Sequence, residues 1–139
     1  MTDIHGSTTA PARTIGDLLA TARARIQRHD PRSASAAQAV GALIVDTRCG
    51  DVRDATGSIP GSVHIPLSVL YWRLDPTSGH HLAELDDRDR HLILVCADGY
   101  SSSLAAATLR DLGFGRADDL AGGFNGWVAA GFPVERTPA

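Results

Sequence analysis

The chain has 139 residues, of which 43% are hydrophobic, 21% charged and 5% aromatic, and its formal net charge is -3. This composition is typical of one small globular domain, which at this size needs neither a metal ion nor a disulfide to hold its fold. No apolar run reaches the roughly 18 residues of a membrane-spanning helix. All 13 basic residues are arginine, scattered among 16 acidic residues, which excludes lysine chemistry and argues against nucleic-acid binding. The two cysteines, Cys49 and Cys96, indicate a reducing compartment, so we expect a cytoplasmic protein.

The N-terminal segment divides into a tail and a helix. Residues 1–12 lack hydrophobic periodicity, which predicts a disordered tail. A helix is predicted over residues 13–30, because Thr14 and Asp17 form a capping pair and apolar residues recur at helical spacing as far as Asp30-Pro31. We expect this helix to pack on the flank of a domain that spans residues 31–139. Its amphipathic pattern leaves a partner-binding helix as the alternative.

Helical and strand patterns alternate through the rest of the chain. Buried strands are predicted at 42–45 and 92–95, and shorter strands at 62–65 and 116–120. Helices are predicted at 33–40, 67–74, 102–112 and 124–130, with a loop and one helical turn in 77–91. This order predicts a mostly parallel sheet with helices on both faces. A site is then expected at the carboxyl ends of the strands, where residues 46–49 and 96–101 meet.

Cys96 stands where a predicted buried strand gives way to a loop and the N-terminus of a helix. Unpaired backbone N–H groups and the helix dipole at such a position lower the pKa of a thiol. The following residues can curl so that successive N–H groups converge on an anion. This candidate loop consists of Ala97, Asp98, Gly99, Tyr100, Ser101 and Ser102. From the pattern alone, two interpretations stay open: a nucleophilic thiolate, or a cysteine that only fills space at a strand end.

Four motifs together resemble a rhodanese domain in order and spacing. They are IVDTR at 44–48, GSIPGSVHIP at 57–66, VCADGYSS at 95–102 and LAGGFNGW at 120–127. The resemblance implies an α/β three-layer sandwich, in which helices cover both faces of a five-stranded, mostly parallel sheet. It also implies that Cys96 accepts a sulfane sulfur from thiosulfate or a persulfide and passes it to a thiol or cyanide. The resemblance implies no cofactor, and nothing in the sequence identifies a protein partner.

The chain departs from the family pattern inside the loop. Many active members carry an arginine five residues after the cysteine, where this chain has Ser101. Arg53 and Arg73 are the candidates to supply the missing cation, with solvated surface charge as the other interpretation. Asp98 opposes ionisation of Cys96 unless it points outward or pairs with an arginine. A weakly catalytic binding module, or a sensor of sulfide or redox state, therefore remains an alternative function.

Three further features bear on the chemistry: the length of the loop, the second cysteine and the histidines. Cysteine phosphatases and arsenate reductases need an arginine in a longer loop, where this chain has Ser102, so that chemistry is disfavoured. Cys49 follows the strand expected beside that of Cys96, which suggests a thiol that resolves an oxidised Cys96 by forming a disulfide; a bystander thiol is the alternative. The six histidines are dispersed or adjacent in sequence, so we expect no metal site.

Overall fold

The computed structural model describes residues 11–136, so most of the predicted tail at 1–12 lies outside the described residues. Helices and strands alternate along this range. The helices are α1 Ile15–Ala24, α2 Pro31–Ala39, α3 Gly50–Thr56, α4 Leu70–Leu74, α5 Ser101–Asp111 and α6 Gly123–Ala129. The strands are β1 Arg28–His29, β2 Leu43–Asp46, β3 Val63–His64, β4 Leu92–Val95 and β5 Ala117–Leu120. Short 3-10 turns at Leu67–Val69 and Ala83–Leu85 complete the connections.

The five strands form one parallel sheet in the order β1-β5-β4-β2-β3. The central strands β2 and β4 are buried along their whole length, as continuous apolar runs in parallel sheets usually are. Asp46, the last residue of β2, stands in register with Val95, the last residue of β4. The loops that follow these two strands therefore leave from the same edge of the sheet, as predicted.

Helices cover both faces of the sheet. On one face, Leu92 and Leu94 of β4 belong to a core with Leu70 of α4 and Leu109 of α5. On the other, Ile93 packs in a core with Ala34 of α2, and with Phe124 and Trp127 of α6. Side chains alternate between the faces because successive residues of a strand point in opposite directions. The three-layer α/β sandwich expected from the sequence is confirmed.

The structure differs from the prediction at the N-terminus. The helix predicted over 13–30 ends at Ala24, and Arg28–His29 forms an edge strand beside β5. The Asp30-Pro31 pair is a start signal for α2: Asp30 is its N-cap and Pro31 its first residue. The strand was missed because its two residues have no apolar alternation, and only β5, remote in sequence, supplies their backbone partners.

Helix α3 was also missed, since no helix is predicted between the strands at 42–45 and 62–65. Its sequence has no apolar periodicity, and the helix contains no buried residue. Sequence patterns detect a helix by the face it buries, so a helix without such a face gives little signal. Within the described range, none of the helices is both long and apolar enough to cross a bilayer.

A buried ion pair holds the loop after β2. Arg48 Nη2 lies 2.8 Å from Asp46 Oδ2, and both side chains are almost fully buried. The guanidinium also donates to the carbonyl of Gly57 at 2.7 Å and to the hydroxyl of Thr56 at 2.9 Å. Arg48 thus connects the segment before α3 to the end of this helix. It stacks over the ring of Phe124, 3.7 Å from the centroid, which links this loop to α6.

Substituting Arg48→Ala should destabilise the fold by about 3 kcal/mol, because removing one partner of a buried pair leaves the other charge poorly compensated. Urea unfolding measures this loss. Arg32→Ala, which removes an exposed arginine of α2, is the matched control and should stay within about 0.5 kcal/mol of the parent. Equal losses in the two variants would contradict the role given to Arg48.

Candidate active site

Cys96 lies directly after β4, at the start of a tight loop that leads into α5; residues 96–102 are called the Cys96 loop below. The cysteine is 7% exposed. Its Sγ accepts a hydrogen bond from the backbone N–H of Gly99 at 3.2 Å and one from that of Ser102 at 3.4 Å. Gly99 has a φ of 87°, a conformation that glycine adopts at little cost. Two backbone amides of the expected anion cradle thus reach the sulfur.

The surroundings of Cys96 favour its thiolate. Burial raises the pKa of this thiol, but hydrogen bonds from the Ser102 and Ser101 hydroxyls and from the Ser102 and Gly99 N–H groups outweigh burial. The pKa of Cys96 therefore lies below its ordinary value. A low thiol pKa at a strand-to-helix junction is typical of reactive cysteines.

The Cys96 loop is held from outside by the N-terminus of α6. The backbone N–H of Phe124 donates to the carbonyl of Cys96 at 2.8 Å, and that of Asn125 donates to the carbonyl of Ala97 at 3.0 Å. This close approach requires Gly123, since a Cβ there would lie 2.5 Å from the Cys96 carbonyl oxygen. The Gly122-Gly123 pair therefore allows α6 to lie against the loop.

Asp98 points away from the sulfur. Its side chain is exposed and accepts a hydrogen bond from Asn125 Nδ2 at 2.8 Å. The sequence left two arrangements that would keep this negative charge from opposing ionisation of Cys96: an outward-pointing side chain or a pair with an arginine. The structure has the outward-pointing side chain. Tyr100 is likewise exposed, with Arg23 lying 5.4 Å from its ring centroid.

The two arginines proposed as substitutes for the loop cation lie beside other groups. Arg53 Nε lies 3.4 Å from the carboxylate of Asp46, but it is buried and has no hydrogen-bond partner among the described residues. Arg73 Nη1 donates to the carbonyl of His80, and Arg73 lines a cavity of about 570 Å³ to which the Cys96 loop contributes no residue. A role for either arginine as the loop cation stays a prediction.

Two arginines that the sequence analysis did not single out do contact the loop. Arg23 of α1 and Arg28 of β1 both donate to the carbonyl of Gly99, at 2.8 and 2.7 Å. They were missed because α1 was expected on the flank and β1 was not recognised at all. Only an edge strand paired with β5 brings Arg28 to this loop, and the sequence around it carries no signal for that pairing.

Cys49 is exposed at the N-cap of α3, whereas Cys96 is buried, and both are free thiols. Its position after β2 is the one that the sequence predicted. No side-chain cap bond is formed there. A resolving role for Cys49 stays a prediction.

The fold gathers two of the histidines that are far apart in sequence. Nε2 of His29 and Nε2 of His91 lie 3.1 and 2.8 Å from Oδ2 of Asp118, so the spacing argument against a shared site fails for this pair. Asp118 also accepts from Arg110 at 2.6 Å and from the backbone N–H of Gln27 at 3.0 Å. Burial raises the pKa of Asp118, but these hydrogen bonds hold it below the ordinary range. We interpret the cluster as a satisfied buried carboxylate.

Comparisons with known proteins agree with this geometry. The family model of the rhodanese-like domain matches residues 30–130. Thiosulfate sulfurtransferase GlpE of Ectopseudomonas mendocina is 38% identical over 110 residues, which cover 78% of this chain and 90% of that protein.

Solved structures lead to the same fold. A Rhodopseudomonas palustris protein of unknown function, called a possible tyrosine phosphatase, superposes with a TM-score of 0.83 and 30% identity, covering 94% of this chain and all of that one. The rhodanese-like domain of an Anabaena protein superposes with a TM-score of 0.65 at 24% identity, covering 81% of this chain and 84% of that one, which is evidence for the fold alone.

Cys96 should react with iodoacetamide with a midpoint pH below that of a cysteine in an unstructured peptide assayed under the same conditions, because its pKa is lowered. In Cys49→Ser, which leaves Cys96 as the single thiol, the alkylation rate across pH measures this midpoint directly. Ser101→Ala should raise the midpoint, because it removes a hydroxyl that favours the thiolate. A midpoint at or above that of the peptide cysteine, or no upward shift in Ser101→Ala, would contradict this assignment.

Proposed function

Because the chain belongs to the rhodanese-like domain family, we propose that it is a sulfurtransferase that carries a sulfane sulfur on Cys96 from thiosulfate or a persulfide to a thiophilic acceptor. The observation that carries this proposal is the sulfur of Cys96 held by two backbone N–H groups, with a thiol pKa below its ordinary value. A lowered thiol pKa increases the thiolate fraction, and a thiolate can attack sulfur without a separate base.

The proposed reaction has two half-steps. The Cys96 thiolate attacks the outer sulfur of thiosulfate, so that a new S–S bond forms on Sγ while the old one breaks and sulfite leaves with the bonding electrons. A nucleophile such as cyanide or a thiolate then attacks the outer sulfur of the persulfide. The Sγ–S bond breaks, the sulfur leaves on the acceptor, and the Cys96 thiolate is restored. This is a ping-pong cycle through a covalent intermediate.

The loop suits a small anionic sulfur group. Backbone donors that are already in place stabilise charge on the reacting sulfur atoms without reorganisation. The hydroxyl of Ser101 adds a neutral donor where the family often has a guanidinium. A neutral hydrogen-bond donor holds an anion less strongly than a charged one. A persulfide of lower charge should therefore be a better source of sulfur than the thiosulfate dianion.

The arginine contacts favour one alternative, a weakly catalytic module that binds or senses sulfur species. Arg23 and Arg28 are engaged with the Gly99 carbonyl, and Arg48 with Asp46, so these three cations are committed within the protein. Phosphate-ester hydrolysis is less well supported. Ser102 stands where a phosphatase loop has its arginine, and its hydroxyl faces the carboxylate of Asp119 at 2.8 Å.

Incubation with thiosulfate or with glutathione persulfide should add the mass of one sulfur atom to the intact protein, and cyanide should remove it as thiocyanate. Mass spectrometry of the intact chain follows both steps. Cys96→Ser should take up no labile sulfur, whereas the matched variant Cys49→Ser should load like the parent. Loading without turnover would favour the sensing module, and no loading from either donor would refute the sulfurtransferase.

We also propose that Cys49 can resolve an oxidised Cys96 in a reducing, cytoplasmic setting. Peroxide oxidises the Cys96 thiolate to a sulfenic acid. Attack by the Cys49 thiolate on its sulfur would form a disulfide, breaking the S–O bond and releasing hydroxide, which takes up a proton from solvent. Support for this idea is the exit of both cysteines from one edge of the sheet, since Asp46 and Val95 are in register.

Peptide mapping of peroxide-treated protein should contain a crosslinked Cys49–Cys96 peptide that dithiothreitol removes. In Cys49→Ser, the same treatment should carry Cys96 on to sulfinic acid instead, because no resolving thiol competes with further oxidation. Sulfinic acid at Cys96 in the parent chain, with no crosslinked peptide, would show that Cys49 is a bystander.

A further inference from the structure

Asp119 of β5 is a fully buried carboxylate that contacts the Cys96 loop. The hydroxyls of Ser102 and Ser103 donate to its Oδ2 at 2.8 and 2.7 Å. Arg28 donates through Nε to Oδ1 at 3.0 Å and through Nη2 to Oδ2 at 3.2 Å. The residue is 0% exposed, and a buried charge is tolerated only when it is paired and hydrogen-bonded.

We propose that Asp119, paired with Arg28, is a positioning residue that acts on Cys96 through the Ser102 hydroxyl: it holds this hydroxyl as an acceptor for the thiol and releases it as a donor to the thiolate. The inference rests on the proposed function, in which Cys96 is the nucleophile.

The Ser102 hydroxyl has two partners and one proton. Its oxygen lies 2.8 Å from Asp119 Oδ2 and 3.3 Å from Cys96 Sγ. A carboxylate can only accept, so in the thiol state Ser102 donates to Asp119 while the Cys96 S–H donates to the Ser102 oxygen. A chain of hydrogen bonds then runs from the sulfur to the carboxylate.

Ionisation reverses one link of this chain. When Cys96 loses its proton to solvent, Sγ can no longer donate, and the thiolate needs a donor. The hydrogen bond from Ser102 that favours the thiolate and the one to Asp119 use the same proton, so they belong to different ionisation states. Rotation about the Cβ–Oγ bond of Ser102 moves only the hydroxyl hydrogen and converts one state into the other.

Asp119 can release this hydroxyl because its other partners remain. Ser103 and the two nitrogens of Arg28 still donate to the carboxylate after Ser102 has turned away. The same Arg28 Nη2 donates to the carbonyl of Gly99, the residue whose N–H reaches the sulfur. The ion pair therefore orients both the hydroxyl and the backbone that face Cys96.

A double-mutant cycle on the alkylation midpoint of Cys96 tests this inference in the full chain with Cys49→Ser. Asp119→Asn should lower the midpoint by about half a unit, roughly threefold more thiolate at pH values well below it, because an amide retains the hydroxyl proton less strongly than a carboxylate. Ser102→Ala should raise the midpoint, since the thiolate loses a donor. In the Ser102→Ala background, the shift caused by Asp119→Asn should fall to less than half.

Two controls separate this role from general disruption. Ser103→Ala removes an equally buried hydroxyl from the same carboxylate. This hydroxyl also lies 3.1 Å from Arg23 Nε and 3.4 Å from the Gly99 carbonyl oxygen but does not contact the sulfur, so the midpoint should not fall. If Asp119→Asn does not fold, as judged by circular dichroism, Arg28→Gln with Asp119→Asn removes both charges together and takes its place in the cycle.

The outcomes are distinct. An equal shift with and without the Ser102 hydroxyl would overturn the inference, because Asp119 would then act by charge alone, and so would no shift or an upward one. Alkylation does not require sulfur transfer, so failure of sulfur loading would refute the proposed function and leave this test intact. Normal sulfur loading together with an additive double-mutant cycle would overturn this inference and leave the proposed function standing.

Discussion

The site depends on one backbone constraint: a loop that turns its N–H groups inward toward a sulfur turns carbonyl groups outward, and these need donors. The carbonyls of Cys96 and Ala97 receive the first N–H groups of α6, and that of Gly99 receives two guanidinium groups. Buried carbonyls without partners are rare because leaving one unpaired costs free energy comparable to a lost hydrogen bond. The hydrogen bonds that reach the Cys96 sulfur therefore depend on the elements that satisfy its loop from outside.

The parallel sheet supplies these elements from distant parts of the chain. β4 carries Cys96 to the sheet edge, β5 beside it carries Asp119, and β1 on the far side of β5 carries Arg28. Helix α1 packs against α5 and contributes Arg23. Parallel strands need crossover connections, which is why residues that touch here are often more than seventy positions apart in sequence.

Strand β5 places its two aspartates on opposite faces of the sheet. Asp118 is bound by His29, His91 and Arg110, whereas Asp119 is bound by Arg28 and the serines of α5. Two adjacent buried charges in a central strand would be costly without these partners. Each aspartate thereby joins β5 to the short edge strand β1, and this pairing compensates for a strand of only two residues.

The sequence by itself determined the fold class and the central strands and singled out Cys96 as the candidate nucleophile, because buried strands, glycine turns and the motif around a cysteine before a helix leave local patterns that need no tertiary information. It did not reveal β1, α3 or the contacts of Arg23, Arg28 and Asp119 with the Cys96 loop. A strand of two residues and a helix with no buried face carry no periodicity, and the partner of a buried charge is chosen by packing across the sheet. Which hydroxyl reaches Cys96, and which arginines hold its loop, only the tertiary structure decided.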